Sequence, residues 1–274
     1  MAPARRCWTR MLSRVPRPAE VPGSPRWVFA LGSVLFWSFF VASSAVLFVG
    51  ALALYLVTRP FDFNRRALHL YSCFWAQLYF YVNPLWSLKI EGREHLPWRG
   101  GAVLVANHES LGDILVLFGL YRPFKWVSKA SVFKAPFIGW NMWLNGYVGL
   151  VRGNKESIEK MMGECEAWLA RGVPVLMFPE GTRSPDGEVK AFKDGAFRLA
   201  LRAGVPIIPI VLTGTARSLP KHGLVFTAKA RCHVRVLPPL QPQAFPTDVA
   251  VLRDQVRALI VSEKAQMQPP PQGV

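Results

Sequence analysis

A histidine followed five residues later by an aspartate, His108 and Asp113 in VLVANHESLGDILVL at 103–117, is a pairing able to move a proton. An imidazole titrates near neutrality, and a carboxylate on one ring nitrogen fixes the tautomer that the other nitrogen presents. The spacing restricts where the two can meet. In a straight α-helix, residues five apart are rotated by about 140°, so the pair forms only if His108 lies before the helix begins. The flanking sequence suits that arrangement: the apolar run 102–106 reads as a strand ending at Asn107, Ser110 is a good N-cap, and Asp113 then falls at the third helical position. That position also makes Asp113 an ordinary capping-box acid. The segment alone leaves two readings open, a proton-transfer pair or a helix cap.

A second constellation, FPEGTRS at 178–184, follows the apolar run VPVLMF and leads into the turn-forming Pro185, Asp186 and Gly187. Glu180 and Arg183 therefore sit where a strand ends, the edge at which α/β domains gather their ligands. A solvated loop carrying an incidental acid and base is the plainer account of this segment taken by itself. The four cysteines, Cys7, Cys73, Cys165 and Cys232, are scattered without a C-x-x-C pair, which argues against a disulfide framework or a zinc site and for a reducing compartment.

Positioning such residues requires a sheet. Short apolar runs predict strands near 87–91, 102–106, 125–128, 147–151, 174–178, 206–212 and 233–237, with helices over 111–120, 155–171, 193–203 and 247–263. Interleaved strands and helices imply an α/β domain whose sheet is covered by helices on both faces. Ahead of it, 27–57 is a run of 31 residues without charge or proline. As a helix it would reach roughly 46 Å, more than a bilayer core of about 30 Å, and it reads as a membrane element. The stretch 59–84 is rich in aromatic residues and reads as an amphipathic helix at the membrane interface, or else as one packed on the domain. The expected organisation is a basic disordered leader over 1–26, a membrane-associated helical motif over 27–84, a catalytic domain over 85–265 and a disordered tail over 266–274.

The ordered motifs resemble those of the 1-acyl-sn-glycerol-3-phosphate acyltransferases and their glycerolipid acyltransferase relatives, whose signature is N-H-x-S-x-x-D followed by F-P-E-G-T-R-S. Residues 107–113 fit the first and 178–184 the second; GYVGLVRG at 146–153, AFKDGAFRLA and VPIIPIVLTGT are similar to further family blocks. The resemblance covers roughly 85–240 and implies a glycerol-3-phosphate acyltransferase-like fold. It implies that His108 is the base for an acceptor hydroxyl and Asp113 its orienter, with acyl-CoA or acyl-carrier protein as donor and a lysophospholipid, lysophosphatidic acid by default, as acceptor. Arg183 and Arg152 would clamp the phosphate. Glu180, Gly181 and Thr182 would complete that site, with Glu180 ordering Arg183 or the glycerol hydroxyl. Lys129 matches a family lysine near the active site and either assists the oxyanion or faces lipid at the surface. Ser110 reads as a cap rather than a nucleophile, and neither a metal nor another cofactor is implied.

The net charge of +16 predicts attraction to anionic partners, and the apolar segment selects a phospholipid membrane among them. No recognisable nucleic-acid motif accompanies the charge. A non-catalytic lipid-binding protein of the same fold is the competing class, and the intact His108, Asp113, Glu180 and Arg183 count against it. Arginines flank both ends of the apolar segment, so both flanks favour the cytoplasm. With too few residues for two spans, the expectation is monotopic insertion in the inner (cytoplasmic) membrane, with the active site facing the cytoplasm.

Overall fold

The computed structural model describes residues 26–184, 187–217, 229–242 and 248–267. The leader up to residue 25, the Pro185–Asp186 part of the expected turn and the tail from 268 lie outside the described residues. The chain begins with the apolar helix α1 (Arg26–Thr58) and the aromatic helix α2 (Arg66–Val82). Strands and helices then alternate: β1 (Trp86–Glu91), β2 (Val103–Ala106), α3 (Gly112–Phe118), β3 (Lys125–Lys129), α4 (Ile138–Asn145) and β4 (Val148–Leu150). They continue with α5 (Lys155–Ala170), β5 (Val175–Met177), α6 (Gly195–Ala203), β6 (Ile207–Thr213), β7 (Ala230–Val236) and α7 (Val249–Met267).

The seven strands form one sheet in the order β1-β7-β6-β2-β5-β3-β4. Every pair is parallel except β6 with β7, so β1 and β7 run against the other five. β2 lies between β5 and β6 in the middle, and all four of its residues are buried. Pleating sends them to opposite faces. Leu104 and Ala106 join the apolar cluster that includes α2 and α3, while Val103 and Val105 join the one built on α5, α6 and α7. Two-sided burial explains why these strands read as continuous apolar runs without alternation.

The structure refines three of these readings. Of the two offered for α2, packing on the domain is realised: Leu68, Cys73, Trp75, Ala76, Tyr79 and Phe80 are buried in the same cluster as the sheet, while side chains such as Phe74 and Tyr81 are exposed. α4 was not foreseen. Its eight residues lie between Pro136 and a left-handed Gly146, too short and too aromatic for a helical period to emerge. α7 runs through Gln266 and Met267, past the expected domain end at 265, and buries Leu252, Val256, Ile260 and Lys264 along one face.

α1 is docked rather than free. The Ser43 and Ser44 hydroxyls lie 3.1 and 2.9 Å from the Tyr79 hydroxyl, and the Tyr71 hydroxyl donates to the Leu47 carbonyl at 3.0 Å. Gly50 permits this approach, since a Cβ there would lie 2.5 Å from the Tyr71 oxygen. At the turn between the two helices, the buried Lys125 ammonium donates to the carbonyls of Asn64 at 3.0 Å and Asn145 at 2.7 Å. It also lies over the Trp168 ring, tying the helical pair to the sheet.

Candidate active site

The loop leaving β2 is built on side chains that imitate backbone. Asn107 is buried, and its amide donates to the Leu212 carbonyl at 2.9 Å while its oxygen accepts the Leu212 N–H at 2.8 Å, continuing the β2–β6 ladder for one more rung. The chain then turns and enters α3. Ser110 Oγ donates to the Thr215 carbonyl at 2.7 Å and accepts the Gly112 N–H at 2.9 Å. The serine thus braces the turn before the helix, but the expected placement shifts by one residue: α3 begins only at Gly112, Leu111 takes the cap position, and Asp113 is the second helical residue rather than the third.

Asp113, in the first turn of α3, is wholly buried. Its Oδ2 accepts the N–H groups of Glu109 at 2.7 Å and Ser110 at 3.0 Å, and lies 2.6 Å from His108 Nδ1. The two readings of this residue are therefore both realised by one oxygen: it caps the helix entry and it holds the histidine. With two backbone N–H groups already donating to Oδ2, that oxygen acts as an acceptor toward the ring as well. In the neutral imidazole the proton accordingly sits on Nδ1, leaving Nε2 with the lone pair. The His108 side chain is 11% exposed. Its ring stacks on Phe178 with centroids 3.9 Å apart and planes 13° from parallel, which fixes the remaining rotation.

The second loop begins with a tight turn. The Gly181 N–H bonds the Phe178 carbonyl at 3.1 Å, with Pro179 at the position where its fixed φ helps and a positive φ at Gly181. A Cβ on Gly181 would come within 2.9 Å of Lys193 Nζ. The turn directs Glu180 inward: Oε1 accepts the His108 N–H at 2.9 Å and Oε2 accepts the Lys190 N–H at 3.2 Å. The Ser184 N–H donates to the His108 carbonyl at 2.8 Å. Both peptide groups of the histidine are thereby held by the FPEGTRS loop. Burial pushes the Glu180 carboxyl above its ordinary range, against the pull of the two N–H donors.

Glu180 does not order Arg183, as one of its two expected roles required; both its oxygens are occupied by backbone N–H groups. Arg183 is half-buried, its carbonyl accepts from Lys190 Nζ at 3.2 Å, and its guanidinium has no carboxylate in ion-pair range among the described residues. Thr182 is exposed beside it. The structure thus gathers His108, Asp113, Glu180, Gly181, Thr182 and Arg183. Lys129 and Arg152 stand apart: both are exposed, one at the end of β3 and one just past β4, two and three strands from β2. Neither makes a hydrogen bond or ion pair with the histidine cluster. Asn107 and Phe178 were quoted in the motifs without a role; an asparagine at a strand end and an aromatic residue opening the partner loop were the signals. Among the described residues, no group of three or more His, Cys, Asp or Glu side chains could hold a metal ion.

The family model described as Acyltransferase matches residues 87–213, a span containing both loops. A 1-acyl-sn-glycerol-3-phosphate acyltransferase of Salmonella typhimurium is 32% identical over 195 residues, covering 68% of this chain and 74% of the relative. The chain belongs to the 1-acyl-sn-glycerol-3-phosphate acyltransferase family. Another member, from Chlamydomonas reinhardtii, is 44% identical over 186 residues, covering 67% of this chain and 55% of the relative; the chain thus matches little more than half of that longer protein. Among solved structures, the family's 1-acyl-sn-glycerophosphate acyltransferase from Thermotoga maritima superposes with a TM-score of 0.66 at 26% identity, covering 87% of this chain and 98% of that one. That coverage extends the likeness beyond the motif region to most of the fold.

Proposed function

We propose that this protein transfers a fatty acyl group from an acyl thioester to the free hydroxyl of lysophosphatidic acid, yielding phosphatidic acid. The observation that carries the reading is the 2.6 Å contact between Asp113 Oδ2 and His108 Nδ1, which leaves Nε2 as a base at the mouth of the loop pair. A thioester is already activated, so the enzyme need not form an acyl intermediate of its own. Nε2 takes the proton of the acceptor hydroxyl as its oxygen bonds to the thioester carbon. The tetrahedral species then collapses, the carbon–sulfur bond breaks, and the imidazolium returns the proton to the departing thiolate. Asp113 stabilises the imidazolium formed between these steps.

The acceptor's phosphate is assigned to Arg183, whose guanidinium has a fork geometry suited to phosphate oxygens and lies on the loop that holds His108. Arg152 and Lys129 lie outside this cluster, just past β4 and at the end of β3, so a role for Arg152 in that clamp and for Lys129 at the oxyanion requires the bound substrate to reach them. Glu180 acts on the histidine's backbone, while Gly181 and Thr182 shape the turn beneath the phosphate. Acyl-CoA and acyl-carrier protein both present the required thioester. On this reading α1, with exposed Leu35, Val41, Val46 and Val49, is embedded in the membrane, and the active site opens to the cytoplasm.

The test is an assay of purified protein with labelled acyl-CoA or acyl-carrier protein and a panel of lysolipid acceptors. Phosphatidic acid formed from lysophosphatidic acid ahead of other acceptors supports the proposal. Lipid binding without turnover would return the chain to the non-catalytic class, and preference for another lysolipid would replace the acceptor.

A further inference from the structure

The histidine loop has one more attachment, from the far end of the chain. Glu109, the residue after His108, turns its side chain away from the acceptor face and into the protein, where it is 5% exposed. Its Oε2 accepts the Thr215 hydroxyl at 3.1 Å and the Ala216 N–H at 3.3 Å. Its Oε1 lies 2.7 Å from Nζ of Lys264, which is itself only 7% exposed. The same ammonium also donates to the carbonyl of Gly187, beyond the FPEGTRS loop. Lys264 sits near the end of α7 on the face that also buries Leu252, Val256 and Ile260.

We propose that Lys264 is a positioning residue for the active site: by bridging Glu109 and Gly187, it fastens the loop carrying His108 to the loop carrying Glu180 and Arg183. Three features support this. The Glu109 N–H is one of the donors on Asp113 Oδ2, so a shift of Glu109 displaces the oxygen that orients the base. Gly187 lies between Ser184 and Lys190, whose N–H groups donate to the His108 carbonyl and to Glu180. Burial raises the Glu109 carboxyl while Lys264 opposes that shift, so the ammonium is what keeps a second carboxylate next to Asp113 compensated. Removing one member of such a buried pair leaves the other charge unbalanced, which is costlier than removing both.

The pairing was not legible in the sequence. Glu109 occupies a motif position open to any residue, and its partner lies in a helix beyond the region of the quoted motifs. The bridge fixes geometry and touches no substrate, so its loss falls on turnover rather than on acceptor binding.

The kinetic part of this inference rests on the proposed acyl transfer, whereas its structural part can be read without turnover. The experiment compares the full-length protein with Lys264→Met, Glu109→Gln and the double variant. Steady-state kinetics use lysophosphatidic acid and acyl-CoA or acyl-carrier protein, whichever serves the wild type, and amide hydrogen exchange is followed at 107–113 and 183–190. Lys264→Met is expected to lower kcat about tenfold or more with acceptor KM within about twofold, and to accelerate exchange in both segments. In the Glu109→Gln background the same substitution should cost far less, because its partner charge is gone. Lys264→Gln, which retains a donor without the charge, is measured alongside and replaces the methionine variant if that one does not fold. Equal losses in both backgrounds, a change confined to KM, or unchanged exchange at both segments would overturn the positioning role. A wild-type protein that transfers no acyl group would instead overturn the proposed function, and the exchange data would still decide the bridge.

Discussion

Asp113 couples folding to chemistry because a single oxygen receives the histidine and two backbone N–H groups of the turn before α3. Replacing either member of the pair therefore has separable consequences. His108→Ala removes the base but leaves Asp113 its two backbone donors. It is expected to lower kcat by about 10²–10⁴-fold, with an unchanged melting temperature and unchanged membrane association. Near-normal turnover in that variant would refute the mechanism. Asp113→Asn preserves an oxygen for the two N–H groups and loses the charge opposite the imidazolium, so a severe but smaller kcat loss is expected. Arg183→Ala behaves differently if Arg183 binds the acceptor's phosphate, a contact present before and during the reaction. Its main effect should be a higher acceptor KM, poorly restored by lysine, which lacks the fork. A pure kcat defect would remove Arg183 from the phosphate clamp.

At the scale of elements, α2 supplies a test of how firmly the helical pair is joined to the sheet. His69 on α2 is buried among Phe118, Phe124 and Tyr147, with Nδ1 2.8 Å from the Tyr147 hydroxyl. Burial, reinforced by the nearby Lys125, pushes its imidazole down to about 3. Above about pH 6.5 the ring is neutral in both folded and unfolded chains. Below that, the unfolded chain binds a proton that the folded one refuses, so stability falls as pH drops toward 3, by up to about 1.4 kcal/mol per unit from this group. Melting temperatures of wild type and His69→Phe between pH 7 and 5 should diverge, the wild type falling more steeply; parallel curves would exonerate His69. Nothing in the sequence marked this histidine, since its burial depends on the end of α3 and the segments leading into β3 and β4 closing over α2. The strands were legible because two-sided burial leaves unbroken apolar runs such as 102–106, and α5 because its apolar residues recur at helical spacing. Strand order was not, because it is set by which crossovers pack on which face. The motif residues revealed the histidine and the carboxylates, whereas the Asn107 rung and the Glu109–Lys264 bridge depend on contacts between segments distant in sequence.

At the scale of the whole molecule, the length and contacts of α1 govern how it meets the bilayer. Its 33 residues would extend about 50 Å as a straight helix, enough to cross with a large tilt. Two features favour lying within one leaflet. Arg26 opens the helix and Arg59, Arg65 and Arg66 follow it, so a crossing would place basic residues on both sides. The helix is also held through its middle, by Tyr79 at Ser43 and Ser44, by Tyr71 at Leu47, and by Phe137 and Trp140 against Phe48. A helix crossing the bilayer would have to carry these contacts, and with them part of the domain's core, into the hydrocarbon. The native cysteines provide a test. Cys73, Cys165 and Cys232 are buried, so Cys7 in the leader reports that end, and Glu159→Cys in a Cys7→Ser background places a thiol on the exposed side of α5. An impermeant maleimide applied to sealed vesicles of one orientation should label both from the cytoplasmic face. Labelling from opposite faces would establish a true span and separate the basic leader from the active site by the full thickness of the membrane.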